Sequence, residues 1–231
     1  MHRYFAYIIL SFIIGCTPPQ PDKKRNEIPK DTVDSKSYGQ IPIEDFDILM
    51  QESEDPGRVT WQNPEMVISK MGNINDLVVA DIGAGTGYFT LRIAKKGGTV
   101  IGIDIDQKSI DYIEERKSEL PPETAERLTT RLSYPDDPRL DANETDWVLI
   151  VNTYYFIDDR VNYLIKVKQG LKKNGKIMVV DYKKGDMPIG PSDAVKVPIT
   201  TAITEIKSAG FRILEIDNSS LQYQYIIVAQ R

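Results

Sequence analysis

The sequence predicts a doubly wound α/β domain with a mostly parallel seven-stranded sheet, and three observations carry that prediction. Short β-rich apolar runs alternate with amphipathic stretches of helical period from residue 77 onward. The first apolar run ends in "DIGAGTGYF", three glycines within five residues. The last two apolar runs, 211–216 and 223–229, have no helix between them. Strands separated by helices of this length require crossover connections and a parallel sheet covered on both faces. Two strands joined by a short loop close it as an antiparallel hairpin at one edge.

In chain order, strands are expected at 77–82, 99–105, 127–132, 146–151 and 176–181, followed by the two closing strands. Helices are expected at 88–95, 108–119, 159–171 and 200–209. Ahead of the first strand, Asn63 followed by Pro64 and Glu65 is a helix start, with Asn as cap and Pro in the first turn. That helix should run to about Met71 and stop at Gly72. Residues 44–50 carry apolar side chains at helical spacing, so 41–72 reads as a helical cap on a domain spanning 41–231. Trp147 and the run 148–151 should be core.

The chain opens differently. His2 and Arg3 precede a short apolar stretch that ends in Ile13-Ile14-Gly15-Cys16, the form of a secretory signal too short for a comfortable membrane span. Residues 1–15 are expected to be a lipoprotein signal, because "IIGC" resembles the bacterial lipobox whose cysteine is lipid-modified after cleavage. Each buried acyl methylene contributes roughly 0.8 kcal/mol, so more than one chain gives stable anchoring. The expectation is a bacterial cell-envelope protein held at the membrane through Cys16. Residues 16–40, dense in Pro, Lys, Asp and Ser, read as a disordered tether.

Composition excludes several chemistries. With 29 basic against 34 acidic residues, the net charge of -5 argues against nucleic acid as a partner. Cys16 is the only cysteine and His2 the only histidine, which leaves the body of the chain without soft metal ligands, a Cys-His pair or a Ser-His-Asp triad. No metal is expected.

The glycine loop follows the first strand, at the carboxyl end of the sheet where open α/β folds bind ligands. Its spacing is Gly83-x-Gly85-x-Gly87, and the position where a dinucleotide loop needs its last glycine holds Tyr88. Asp81, just before the loop, would repel a pyrophosphate but suits a cationic ligand. Asp104 ends the second strand in "GIDID", where a carboxylate can take both ribose hydroxyls. Asp106 either replaces it or caps the next helix. Together these describe a pocket for a nucleoside bearing a positive group, the chemistry of S-adenosylmethionine. The bland reading is a tight strand-to-helix turn.

From about Arg58 to the C-terminus the chain resembles the class I S-adenosylmethionine-dependent methyltransferases, through "DIGAGTGYF", "GIDID", "DWVLIVNTYYF", "LKKNGKIMVVDY" and "YQYIIVAQR". It is similar in particular to small bacterial members with an Arg-x-x-Trp-Gln-x-Pro-Glu entry segment, here Arg58 to Glu65. The resemblance implies a Rossmann-like methyltransferase sheet, with the methionine portion of the cofactor at Asp81, Gly83, Gly85, Gly87 and Tyr88, and the ribose at Asp104. It also implies an adenine contact after the third strand, at Asp137 or its neighbour Asp136, although Asp137 can equally start the turn at Pro138. Arg58 and Trp61 fall in a cap over the cleft, Trp61 either stacking on a ligand or anchoring helix to core. The acceptor belongs beside 152–156, where Asn152 and Tyr154 would orient it, while Tyr155 or Phe156 packs under the next helix. Tyr223 and Tyr225 read as sheet packing.

The loop departs from its relatives, which carry an acidic residue and histidines there and often a histidine before the last helix, where Val195-Lys196-Val197 stands here. The expected function is therefore a lipid-anchored methyltransferase acting on a small molecule or envelope component. The alternative is a methyltransferase-fold lipoprotein that binds or interacts without catalysis. A dinucleotide oxidoreductase is disfavoured by Tyr88.

Overall fold

The computed structural model describes residues 55–231. The signal, Cys16, the tether and the helix expected at 44–50 lie outside the described residues.

The described chain builds one seven-stranded sheet. Two short helices, α1 (Arg58–Gln62) and α2 (Pro64–Ser69), lead into β1 (Val78–Ile82), α3 (Tyr88–Lys95), β2 (Thr99–Asp104), α4 (Gln107–Ser118), a single turn α5 (Pro122–Ala125) and β3 (Leu128–Leu132). The second half runs β4 (Thr145–Val151), a 3-10 turn at Tyr154–Phe156, α6 (Arg160–Gly170), β5 (Leu171–Tyr182), α7 (Ile199–Ser208), β6 (Arg212–Asp217) and β7 (Gln224–Gln230). Strand order is β3-β2-β1-β4-β5-β7-β6. The first five strands in chain order are parallel where they pair, and β7 is antiparallel to both β5 and β6. The expected edge hairpin is present, with β6 outermost and β7 paired inward (Val179 opposite Ile227). No helix among the described residues is long and apolar enough to cross a membrane.

The local signals worked where a side chain or ring dictates backbone geometry. Asn63 adopts a left-handed conformation (φ 44°), ending α1 and capping α2 by accepting from the Met66 N–H. The single helix expected from Asn63 is thus preceded by a separate turn of helix. Asp106 caps α4 by accepting from the Lys108 N–H at 3.0 Å, and Asp159 caps α6. β5 is longer than expected because α6 runs directly into it at Leu171.

Alternation along each buried strand sends neighbouring side chains to opposite faces. Val79, Val100, Leu149, Met178 and Val228 pack with α2, α3 and α4 through Val67, Phe89, Ile93 and Ile113. Ala80, Ile103, Val148, Val179 and Ile227 pack with α6 and α7 through Leu164, Val167, Ala202 and Ile206. β4 is the spine between the two layers: residues 147–151 are each at most 7% exposed.

One acid is sealed in this core. Asp181, fully buried near the end of β5, accepts from the Tyr182 N–H at 2.7 Å and the Tyr155 N–H at 3.2 Å. Burial pushes its carboxyl up to about 7 from an ordinary value of 3.8, against those backbone hydrogen bonds and the nearby Arg160 charge. The folded protein therefore holds a proton that the unfolded chain has released. The associated stability is fully present below the unfolded value and lost as pH rises through the folded one. Urea unfolding should yield a free energy that falls by of order 2–4 kcal/mol between about pH 4 and pH 8. In the Asp181→Asn variant part of that fall should disappear.

Candidate active site

The carboxyl ends of β1, β2, β4 and β5 open onto one rim, and the glycine loop is drawn across it by three backbone donors. The Gly83 and Ala84 N–H groups donate to the Ile103 carbonyl at 2.8 and 3.0 Å. The Gly85 N–H donates to Asp104 Oδ2 at 2.8 Å, while the other oxygen of Asp104 accepts from the Asp106 N–H at 3.0 Å. Asp104 thus ties the loop to β2 and keeps lone pairs in reserve, since a carboxylate has about four acceptor sites. Desolvation raises its carboxyl above the usual range.

The three glycines serve different needs, although all have positive φ (72°, 53° and 77°). A Cβ on Gly83 would fall 2.1 Å from Thr153 Oγ1, so the loops after β1 and β4 can meet only over a bare backbone. A Cβ on Gly87 would stand 3.0 Å from Ile113. At Gly85 nothing lies within 4 Å, and this is the open face of the loop.

Asp81 lies 3% exposed behind the loop and accepts from Thr90 Oγ1 at 2.6 Å. Burial pushes its carboxyl up to about 6, the Thr90 hydrogen bonds and the Arg58 charge acting against that rise and Asp104 adding to it. Tyr88 begins α3 with its ring between two guanidiniums, Arg58 at 3.8 Å and Arg92 at 3.7 Å from the centroid. Its buried hydroxyl has no partner among the described residues, and neither has Trp61 Nε1. An orphaned buried donor costs about 1–3 kcal/mol.

Asn152, directly after β4, is held in the left-handed region (φ 56°). Its Oδ1 accepts from Gln224 Nε2, and its Nδ2 donates to the Tyr182 hydroxyl at 3.2 Å. Gln224 Oε1 in turn accepts from Gln62 Nε2 at 3.3 Å, and Gln62 Oε1 from Arg58 Nε at 2.6 Å. A buried polar chain therefore runs from the entry helix α1 through the first residue of β7 to the ends of β4 and β5. Sequence reasoning named its ends, Arg58 and Asn152, and missed Gln62 and Gln224. Gln62 sits inside the entry segment, which was a usable signal; nothing local marks Gln224.

One assignment changes. Tyr154 was expected to orient the acceptor, but it is fully buried and its hydroxyl donates to Glu205 Oε2 at 2.8 Å. Burial pushes that hydroxyl far up, and Arg160 completes the cluster by donating to the same oxygen at 2.8 Å. Tyr154 therefore locks α7 to the rim, and among the tyrosines and phenylalanine of this loop only Phe156 is partly exposed. Asp137 accepts from the Arg139 N–H at 2.7 Å and lies 3.6 Å from Lys166, which also reaches Asp136 at 3.4 Å. Its turn-forming role is real. Tyr225 is sealed in the sheet, whereas Tyr223 precedes β7 and meets Trp61 edge to face.

Comparison with known proteins is consistent with this geometry. Residues 80–179 match the family model described as a methyltransferase domain. Magnesium-protoporphyrin O-methyltransferase of Rhodobacter capsulatus is 32% identical over 83 residues, which is 35% of this chain and 35% of that relative. The chain thus matches about a third of that relative's length. Among solved structures, an S-adenosylmethionine-dependent methyltransferase from Aquifex aeolicus superposes with a TM-score of 0.74 at 21% identity, over 80% of this chain and 98% of that one. The glycopeptide N-methyltransferase MtfA in complex with S-adenosylmethionine gives 0.61 at 15% identity, over 72% and 92%. The [4+2]-cyclase SpnF gives 0.66 at 14% identity, over 80% and 92%. These establish a shared fold, the Rossmann-like methyltransferase sheet, and the cyclase shows that one fold hosts more than one chemistry.

Separate roles for the glycines lead to separable outcomes. Gly83→Ala should destabilise the protein by about 2–4 kcal/mol, strain at positive φ adding to the clash with Thr153, read as a lowered Tm. Gly85→Ala should cost only about 1–2 kcal/mol of stability.

Proposed function

We propose that this chain, whose residues 80–179 match a methyltransferase domain, is a lipid-anchored methyltransferase. It takes its methyl group from S-adenosylmethionine held at the glycine loop and passes it to a small molecule or an envelope component. The observation that carries the reading is the open backbone face at Gly85, whose N–H is held by Asp104, with Asp81 buried behind the loop. A bare peptide face beside two carboxylates suits a ligand with hydroxyls and a positive centre.

The residues present fit that cofactor. Asp104 offers its remaining lone pairs to ribose hydroxyls while still holding the Gly85 N–H. Asp81 supplies negative charge for the amino-acid ammonium, and Arg58, close enough to bear on the ionisation of Asp81, supplies positive charge for its carboxylate. The orphaned Tyr88 hydroxyl lies at the start of the helix that leaves the loop. Adenine is assigned to the turn after β3, where Asp137 stands.

When bound there, S-adenosylmethionine would supply an electrophilic methyl group on a sulfonium leaving group, held by Asp81, Arg58, Asp104 and the glycine loop. What the protein contributes is alignment, for which effective molarities of about 10⁵ M or more are attainable. Tyr154, buried and bonded to Glu205, is removed from the set of bases, and the only histidine is His2. Asn152, its amide fixed on both sides by Gln224 and Tyr182, is the rim group assigned to orient the acceptor. The lipid anchor rests on the "IIGC" sequence ending at Cys16.

Calorimetry with S-adenosylhomocysteine tests the cofactor site. The wild-type chain should bind, and Asp104→Ala should weaken binding by about tenfold or more. Since Asp81 must be ionised to face an ammonium, affinity should rise with pH through about 6 and level off above it. Asp81→Asn should flatten that dependence, and a flat wild-type profile would remove Asp81 from the site. Labelled S-adenosylmethionine mixed with envelope extract should yield labelled product, whereas binding with no transfer to any acceptor would support the non-catalytic reading. Labelled palmitate should enter the wild-type chain and not Cys16→Ser; equal incorporation would refute the anchor.

A further inference from the structure

The amino end of the sheet, opposite the glycine loop, collects cations from segments far apart in the sequence. α6 and α7 end there, β5 and β6 begin there, and β7 finishes there because it runs antiparallel to both strands. The last turns of α6 and α7 bring Lys168 and Lys207, the start of β5 brings Lys172 and Lys173, and Arg212 and Arg231 follow from β6 and β7. Hydrogen bonds join these positions into one surface. Lys168 Nζ donates to the Gly210 carbonyl at 2.5 Å, two residues before Arg212. Arg212 donates to Gln230 Oε1, and Gln230 Nε2 donates to the Asn174 carbonyl at 3.3 Å. Arg231 donates to the Leu171 carbonyl and to Asn143 Oδ1. Between Leu171 and Lys176, β5 spends the run 172–175 where β4 spends Asp146 alone, and Lys173 and Asn174 stand exposed at that tip.

The acceptors that hold several of these cations are neutral. A carbonyl or amide oxygen fixes an ammonium or guanidinium in place and leaves its charge uncancelled. Lys168, Arg212 and Arg231 are held that way, and Lys173 and Lys207 are exposed. Lys172 pairs with Asp146 at 2.7 Å. In the segment leading into β4, Arg131 takes Glu144 at 2.7 Å, which leaves Asp141 as the acid facing the patch. Even with Asp141 and a terminal carboxylate at Arg231 counted against it, this end is positive on a chain of net charge -5. The loops at the opposite end carry exposed Asp158, Asp159 and Asp186. A charge distribution of this kind turns one end of the molecule toward an anionic surface.

The cations come from several elements and spread across the end of the sheet, so a compact anion would meet one or two of them at a time. A layer of anionic headgroups would meet all of them together, each basic side chain adding to the attraction. A nucleic-acid strand running past the patch would meet the acidic remainder of the chain. We infer that the amino end of the sheet docks on an anionic lipid bilayer. The contact goes beyond the anchor reading: an acyl chain at Cys16 would attach the protein, whereas this face sets which way the domain points. The strands run from this face toward the glycine loop, so docking leaves the cofactor rim on the aqueous side.

Flotation of the full-length Cys16→Ser chain, which carries no acyl group, tests the surface separately from the anchor. Vesicles of phosphatidylcholine give the baseline, and vesicles of phosphatidylcholine mixed equally with phosphatidylglycerol add the negative charge. At low salt the mixed vesicles should bind about tenfold or more tightly than the neutral ones, and the gain should vanish at high salt. Lys173→Glu/Lys207→Glu, changed at two exposed positions, should remove most of the gain with Tm unchanged. Lys173→Gln/Lys207→Gln should remove a smaller part. The charge-matched Lys23→Glu/Lys24→Glu chain should keep the gain. No gain from phosphatidylglycerol, or a gain that follows Lys23 and Lys24 and ignores Lys173 and Lys207, would overturn the inference. Saturable binding of a duplex oligonucleotide through Lys173 and Lys207, without a phosphatidylglycerol gain, would overturn it in favour of nucleic acid. The anchor stands or falls on palmitate incorporation, so failure of either reading is seen apart from the other.

Discussion

A row of buried amides holds the site together. Gln62 and Gln224 stand 162 positions apart, yet each is sealed from water and Gln62 donates to Gln224, with Arg58 and Asn152 closing the two ends of the row. Buried polar atoms cost about 1–3 kcal/mol apiece when left unpaired. The entry helix, the loop after β4 and the start of β7 therefore have one low-energy arrangement between them. α1 is only five residues long and has no side-chain cap at its start, so its placement comes from this row and from the packing of Trp61, not from helix propensity.

Around that row the cleft divides by chemistry. On the β1–β2 side the backbone is bare and the side chains are acidic, with Asp81 and Asp104 both raised by desolvation. On the β4–β5–β7 side the side chains are aromatic and the acids are consumed by internal partners. Gly83 permits the two sides to touch, since the loop after β1 passes against Thr153 where no Cβ fits.

Asp181 and Asp81 carry raised proton affinities in different settings. Asp181 is locked into the core by two backbone donors and stabilises the corner where the 3-10 turn meets β5. Asp81 is held by the hydroxyl and backbone of Thr90, with an arginine close by. Burial is what raises it, to about 6.

The pattern of apolar periods in the sequence was enough to specify the sheet, its parallel order and its closing hairpin, because strands buried on both faces and crossover helices leave strong local signatures. Asn63, Asp106 and the three glycines were legible for the same reason: caps and positive-φ turns are local geometry. Tyr154 and Phe156 were not, since which ring of a tyrosine-tyrosine-phenylalanine run faces the core depends on a 3-10 turn and on Glu205, 51 residues on. Gln224 was invisible in sequence because its partners, Gln62 and Asn152, are 162 and 72 positions away. Sequence by itself determined the layers and the glycine loop through short-range backbone physics. Only the tertiary structure decided which polar and aromatic side chains meet at the rim, because burial and hydrogen-bond satisfaction are settled between distant segments.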